Sequence, residues 1–332
     1  MDFKNYLVPG KTGLLIGIGG VSMSPLAEVL HDAGLDIRGS DMAESSNTLT
    51  LREHGIPIHI GHSADNVTDD ISFVIRTAAV HDDNPEVHEA HRRGIPVFER
   101  TQAWGALMRG YQNALCISGT HGKTTTTSMC THIMMAAEKD PTVMIGGTLP
   151  LLKACHRVGK GNTIIMESCE YYNSFLALNP TIAVVLNIEA DHLDFFKDLE
   201  DIKHSFRCFA ERVPAETGTV IANYDDANTM DALRGIARKV ITFGLNAKAD
   251  VYAQNIVHRG SVSEFDIYHR GNYFARVTLH VPGIHNVRNA LAATAAAIVL
   301  GVSPNAVKYG LAGFEGAGRR FDYKGKFQGA DL

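Results

Sequence analysis

A chain of 332 residues is too long for one ordinary domain and suits two. With 45% hydrophobic residues it can bury sizeable cores, and a net charge of −5 without any Lys/Arg cluster interleaved with aromatics argues against nucleic acid as the main partner. Five cysteines (Cys116, Cys130, Cys155, Cys169, Cys208) form no C-x-x-C pair, residues 1–11 hold no apolar core of signal-peptide length, and the most apolar run, 290–300, is far short of a membrane span; a reduced, cytoplasmic protein without membrane insertion is expected.

In chain order, residues 12–18 read as a short apolar strand ending in Gly17-Ile18-Gly19-Gly20-Val21-Ser22. Residues 23–33 carry a 3.6-residue period and stop at Gly34. A second strand at 35–38 runs into Gly39-Ser40-Asp41, and a helix near 48–54, strands at 57–60 and 72–77, a helix at 85–93 and a strand at 95–98 follow. Strands alternating with helices predict a parallel, doubly wound sheet. The polar stretch 109–112 closes this first unit, giving domains at 1–110 and 111–332. The loop at 17–22, with Asp41 ending the next strand, resembles a dinucleotide fingerprint: glycines admit a diphosphate and the acid meets a ribose hydroxyl. Ser22 stands where a third glycine belongs, and a tight strand–helix turn is the plainer alternative.

The second unit opens on Ala114-Leu115-Cys116-Ile117, which leads into Ser118-Gly119-Thr120-His121-Gly122-Lys123-Thr124-Thr125, with an apolar-faced helix expected over 128–137. Strand, glycine loop and helix in that order make a phosphate-binding loop: backbone N–H groups face the anion, Lys123 reaches the terminal phosphates and Thr124 offers a hydroxyl to Mg²⁺. The loop is a variant, with Ile117 in place of the usual first glycine. Further strands are expected at 142–145, 163–167, 181–187, 219–222 and 240–243. Alternation around 263–268 and 274–279, joined by Arg270-Gly271-Asn272, predicts an antiparallel hairpin at the sheet edge. A long Ala-rich helix to Leu300 and a short one over 304–311 complete the unit. The fold class is therefore α/β, an N-terminal Rossmann-like doubly wound parallel sheet followed by a P-loop NTPase-like central domain with a small antiparallel edge.

Carboxylates cluster after two strands, in Glu167-Ser168-Cys169-Glu170 and Asn187-Ile188-Glu189-Ala190-Asp191-His192, at the carboxyl edge where open α/β sheets bind ligands. Such groups can hold Mg²⁺ beside triphosphate oxygens. His192 can serve a metal, orient a phosphate or be a satisfied polar residue at a strand end. His88 and His91, one helical turn apart, have no third ligand and read as a solvated face. Asn286 and Asn289, also a turn apart, can cap their helix or read a nucleotide base or its phosphates. Arg319-Arg320 after the last helix suits phosphate or a surface charge pair. A nicotinamide enzyme would use the first glycine loop but leave Lys123, Thr124, Glu167 and His192 without a role.

Taken together, Gly17-Ile18-Gly19-Gly20 with Met23-Ser24, Gly39-Ser40-Asp41, Asp83-Asn84-Pro85-Glu86, Gly119-Thr120-His121-Gly122-Lys123-Thr124, Asn187-Ile188-Glu189-Ala190-Asp191-His192, His285-Asn286-Val287-Arg288-Asn289 and Gly318-Arg319-Arg320-Phe321 resemble the Mur ligases of peptidoglycan precursor synthesis, in that family's order. Thr-His-Gly-Lys-Thr, with His121, marks the alanine-adding branch or its relative that ligates a murein peptide. The resemblance implies an ATP- and Mg²⁺-dependent amide ligation through an acyl phosphate, with UDP-N-acetylmuramate and L-alanine as substrates. It implies catalytic roles for Lys123, Glu167, His192 and Arg320, and metal contacts from Thr124, Glu167 and His192. ATP would meet Gly119, Thr120, His121, Gly122, Lys123, Thr124, Thr125, Asn286 and Asn289. The UDP-sugar would meet Gly17, Gly19, Gly20, Ser22, Asp41 and His121, which is expected to face the muramyl end. Cys169 departs from the family's acid, and only eleven residues follow Phe321 where the family carries a closing C-terminal domain, so weak turnover is expected. A UDP-sugar-binding module without catalysis is the alternative, and oligomeric state is left open.

Overall fold

The computed structural model describes residues 2–77, 79–316, 326–327 and 330–331. The chain forms two compact units, residues 1–110 and 111–332. In the first, β1 (Thr12–Ile16), β2 (Asp36–Asp41), β3 (Ile58–Ile60), β4 (Ile71–Arg76) and β5 (Val97–Glu99) make a parallel sheet in the order β3-β2-β1-β4-β5. β1 is buried along its whole length because it is the central strand with a neighbour on either side. Successive strands are added first on one side of β1 and then on the other, so the glycine turn that follows it opens at a topological switch point.

Four helices clothe this sheet: α1 (Ser24–Asp32), α2 (Ser46–Glu53), α3 (Pro85–Arg92) and α4 (Arg100–Met108). α2 starts at a reciprocal Ser45–Thr48 capping box, and the Asn84 side chain accepts from the Glu86 and Val87 amides to start α3. α4 lies in a stretch where the sequence reading found no helix. Its polar residues, Arg100-Thr101-Gln102, fill the first turn and its apolar ones, Trp104 among them, follow in a run, so no periodic stripe announces it.

The second unit is built on a ten-stranded sheet. Its strands are β6 (Asn113–Ser118), β7 (Thr142–Leu149), β8 (Ala154–Arg157), β9 (Thr163–Glu167), β10 (Ile182–Val185), β11 (Thr219–Asn223), β12 (Lys239–Gly244), β13 (Val251–Arg259), β14 (Val262–His269) and β15 (Asn272–Leu279). They run in the order β15-β14-β13-β12-β11-β10-β6-β9-β7-β8. From β12 to β7 all neighbours are parallel, and both margins are antiparallel. The expected α/β class with an antiparallel edge is what forms. The edge is larger than the expected hairpin, because β13 pairs parallel with β12 and antiparallel with β14. The β14–β15 turn has Arg270 and Gly271 both at positive φ, the backbone that a two-residue hairpin turn requires.

Helices α5 (Lys123–Ala136), α6 (Leu199–Ala210), α7 (Ala227–Ala232), α8 (Ile284–Val299) and α9 (Pro304–Ala312) accompany that sheet. α5 begins at Lys123, five residues before the expected start. Four consecutive threonines argue against helix locally, but the Thr127, Ser128 and Thr131 hydroxyls donate to the Lys123, Thr124 and Thr127 carbonyls four residues back. Six buried alanines of α8 join Ile117, Ile133 and Val184 in one apolar core. All five cysteines are free, and burial pushes the Cys116 and Cys130 thiols up to about 12. Among the described residues no helix is long and apolar enough to cross a membrane.

His132 of α5 packs edge-on against Phe314, and desolvation holds its pKa down at about 4. The folded form thus resists protonation that the unfolded chain accepts near its ordinary value. The His132 contribution to stability is complete above about pH 6.5 and is lost as pH falls from there toward 4. His132→Leu should flatten the decline in melting temperature of this unit between pH 6.5 and 4, read by calorimetry; an unchanged slope would contradict the burial argument.

Candidate active site

In the first unit a cavity of about 690 Å³ opens at the end of β1, lined by Gly17, Gly19, Gly20, Asp41, His62 and Asn84 among others. Asp41 Oδ2 accepts from the Gly19 amide at 2.8 Å, and Asn47 Nδ2 donates to the Gly19 carbonyl at 2.8 Å. The carboxylate at the end of β2 therefore braces the glycine turn as well as facing the cavity. Ser22 does not line it: its hydroxyl accepts from Arg100 at the start of α4. His62 escaped the sequence reading. Its Nδ1 lies 2.7 Å from Oε2 of Glu86, a fully buried carboxylate that also accepts from Ser40 Oγ (2.7 Å) and Asn66 Nδ2 (2.6 Å). No described Lys or Arg lines this cavity, so an anion there would rely on backbone N–H groups and the imidazoles of His62 and His81.

In the second unit the ends of β6, β9 and β10 lie level, since Ile117 pairs with Glu167 and Ser118 with Val185. This register, not sequence proximity, assembles the expected residues. Lys123 Nζ donates to the Gly119 and Thr120 carbonyls at 2.5 and 3.1 Å, curling its own loop, and to both oxygens of Glu170 at 3.0 and 3.1 Å. Thr124 Oγ1 donates to Glu167 Oε1 at 3.0 Å, while Glu167 Oε2 accepts from the Gly146 amide at 2.7 Å. His192 Nε2 lies 3.9 Å from Glu170 Oε1. Lys123, Thr124, Glu167, Glu170 and His192 thus form one cluster. Glu170 lies three residues past the end of β9, and the pairing of β9 with β6 brings it to Lys123.

Two hard oxygens, Thr124 Oγ1 and Glu167 Oε1, sit together at the head of α5, a donor set suited to a Mg²⁺ that takes its remaining ligands from phosphate and water. No preformed group of three His, Cys, Asp or Glu ligands exists among the described residues.

On the other side of the loop is a cavity of about 460 Å³, walled by Leu186, Phe243, Val281 and Phe314, with Asn223 and Asn289 among its polar lining. His121, Gly122, Thr125 and Asn286 also line it, so Thr125 and both expected asparagines meet here. Asn187 fixes this rim: its Oδ1 accepts from the His121 amide (2.7 Å) and its Nδ2 donates to the His121 carbonyl (3.0 Å). The His121 ring points Nε2 to within 3.6 Å of Glu189. Asn286 Nδ2 donates to the Pro282 carbonyl and Asn289 Nδ2 to Asn286 Oδ1, so the pair holds the start of α8 and faces the cavity at once. Arg320 lies outside the described residues. Asn223, Phe243 and Phe314 carried no local signal, since each comes from a different strand or helix end.

Gly122 has φ +86°, and a Cβ there would stand 2.6 Å from Asn289 Oδ1. Gly122→Ala should strain the loop by about 1–3 kcal/mol. Roughly tenfold weaker nucleotide binding is expected, measured by calorimetry, with unchanged unfolding of the first unit.

The family of Mur ligase middle domains matches residues 117–297, and that of the Mur ligase catalytic domain matches residues 15–112. The chain belongs to the Mur ligase family. It is 46% identical to the UDP-N-acetylmuramate–L-alanine ligase of Agathobacter rectalis over 96% of this chain and 69% of that one. The same-named ligase of Clostridium novyi is 44% identical over 99% of this chain and 71% of the relative. Among solved Mur ligases, the UDP-N-acetylmuramate–alanine ligase of Thermotoga maritima superposes with a TM-score of 0.79 at 30% identity, covering 96% of this chain and 71% of that one. A ligase from Neisseria meningitides that takes UDP-N-acetylmuramate and L-alanyl-γ-D-glutamyl-meso-diaminopimelate gives 0.83 at 26%, covering 93% and 100%.

Proposed function

We propose that this Mur ligase joins L-alanine to UDP-N-acetylmuramate with ATP, a step of peptidoglycan precursor synthesis. The carrying observation is the loop cluster of Lys123, Thr124 and Glu167 in a chain that is 46% identical, over 96% of its own length and 69% of the relative's, to a ligase of that name. In this reading the lactyl carboxylate attacks the γ-phosphorus of ATP, releasing ADP and forming an acyl phosphate. The amine of alanine then attacks the acyl carbon and expels phosphate, losing a proton as the amide forms. Little covalent help is needed from the protein; positioning and charge neutralisation carry the chemistry.

The adenosine would enter the cavity between Phe243 and Phe314, the glycine loop amides would cradle the phosphates, and Lys123 would leave Glu170 to reach the terminal ones. Thr124 and Glu167 would hold a Mg²⁺, with His192 available to a second, and the ion would offset triphosphate charge. The UDP moiety belongs in this reading to the Gly17–Gly20 turn, with Asp41 and His62 beside it.

Radiolabelled alanine incubated with the chain, ATP and UDP-N-acetylmuramate should yield labelled UDP-muramyl-alanine, with the chain binding the sugar nucleotide by calorimetry. A chain that binds no UDP-N-acetylmuramate would sink the proposal. The likeness to the Neisseria ligase gives the second reading: ligation of L-alanyl-γ-D-glutamyl-meso-diaminopimelate in preference to alanine would move the chain to that branch.

A further inference from the structure

Helix α6 carries a thiol and an imidazole that have no part in the chemistry above. His204 and Cys208 stand one helical turn apart, so they share a stripe of its surface. Cys208 Sγ lies 3.5 Å from His204 Nε2. His204 is exposed and Cys208 half-buried, at the margin of the buried face made by Ile202, Phe206 and Phe209. That face fixes the helix: the Phe175 ring meets Phe206 at 5.3 Å and stacks on Phe209 at 4.6 Å. The Asp198 side chain caps the first turn, accepting from the Asp201 amide at 2.9 Å. A cavity of about 500 Å³ opens at Cys208, lined also by Leu176, Glu211 and Arg212. The Arg212 guanidinium is already engaged, donating to the Leu178 carbonyl (3.1 Å) and Asn179 Oδ1 (2.9 Å). Glu211 brings a carboxylate to the same opening, shared with Arg207 at 3.1 Å.

We infer that His204 and Cys208 form a chelating pair for a borderline-soft divalent cation such as Zn²⁺. Zn–S bonds of about 2.3 Å and Zn–N bonds of about 2.0–2.1 Å, held at a tetrahedral angle, place sulfur and nitrogen about 3.5 Å apart. The observed separation is that distance, so the pair is spaced for the ion without any movement of the helix. On binding, the thiol proton leaves to solvent. The thiolate sulfur and the Nε2 lone pair then each donate to the metal, Nδ1 keeps the ring proton, and water completes the tetrahedron. Donor type separates this site from the head of α5. Thr124 and Glu167 offer hard oxygens suited to Mg²⁺, whereas sulfur and imidazole select softer ions. The site does not depend on the ligase reading. Of the other thiols, Cys116 and Cys130 are buried. Cys155 lies 3.8 Å from Nδ1 of His156, its neighbour along β8, where successive side chains point to opposite faces of the sheet.

Titration with Co²⁺ and then Zn²⁺, in excess Mg²⁺, tests the pair. Co²⁺ should give the near-ultraviolet band of thiolate-to-metal charge transfer, and Zn²⁺ should displace it. Cys208→Ser should abolish the band. His204→Ala should weaken Co²⁺ binding by at least about tenfold, since even an outer partner of a metal ligand is worth that much. Cys155→Ser should leave band and affinity unchanged. Free Zn²⁺ at about a hundred times its dissociation constant should raise the calorimetric melting midpoint of the second unit by about 5 °C, an increment that Cys208→Ser removes. A band that survives in Cys208→Ser, or vanishes in Cys155→Ser, places the metal on another thiol and overturns the inference. An unaltered chain in which Co²⁺ yields no band overturns it too, and so does full Co²⁺ affinity in His204→Ala.

Discussion

Lys123→Ala should weaken ATP binding and slow product formation by roughly 10²–10³-fold, the usual cost of removing a charged donor from a preorganised site. Nothing else described in the cluster replaces the ammonium: Thr124, Glu167, Glu170 and His192 offer a hydroxyl, two carboxylates and an imidazole. The substitution has a second consequence that must be separated from the first. The Glu170 side chain is only 3% exposed and takes both of its short contacts to a cation from Lys123. Removing the lysine strands a buried carboxylate, which costs about 3–5 kcal/mol. A double variant, Lys123→Ala with Glu170→Gln, should recover most of that stability while ATP binding stays lost. Calorimetric titration of ATP beside thermal unfolding distinguishes the two effects. If the double variant binds ATP as the unaltered chain does, Lys123 does not hold phosphate.

Glu86→Ala is expected to destabilise the first unit by about 2–4 kcal/mol, because three donors lose one acceptor in a buried site. Ser40 Oγ, Asn66 Nδ2 and the His62 imidazole all converge on this carboxylate. They come from β2, the turn after β3 and the segment between, so Glu86 at the first turn of α3 ties the sheet to the rim of the cavity that His62 lines. Glu86→Gln keeps the shape and one oxygen and should cost less than half as much. The chain has a single tryptophan, Trp104, buried in this same unit, so its fluorescence follows the unfolding of the first unit by itself. A midpoint unchanged in Glu86→Ala would mean the network contributes nothing net.

Both predictions rest on side chains whose partners are far away in sequence, and that is where reading the chain alone stops. Glycine turns are legible because their cause is local: Gly17, Gly119 and Gly122 each adopt positive φ where a strand gives way to a helix. Strand positions were legible through apolar runs such as Ala114–Ile117. α4 gives no period to detect because its polar residues fill the first turn and its apolar ones follow in a run. The start of α5 was misplaced because threonine disfavours helix until its hydroxyl finds a carbonyl four residues back. Ser22 sits in the glycine motif by position, yet Arg100, 78 residues away, takes its hydroxyl.

By itself the sequence determined the alternation of strands and helices, the glycine loop between β6 and α5 and the order of motifs that marks a Mur ligase. All of these are set by residues within a few positions of one another, through backbone conformation and hydrophobic period. Only the tertiary structure decided that Glu170 faces Lys123, that Asn187 clamps His121, that Phe243 and Phe314 wall one cavity, and that Tyr171 stacks on His192. Those meetings depend on strand order and register, with β6 lying between β9 and β10, and a two-residue period says which face a side chain takes but not which strand lies beside it.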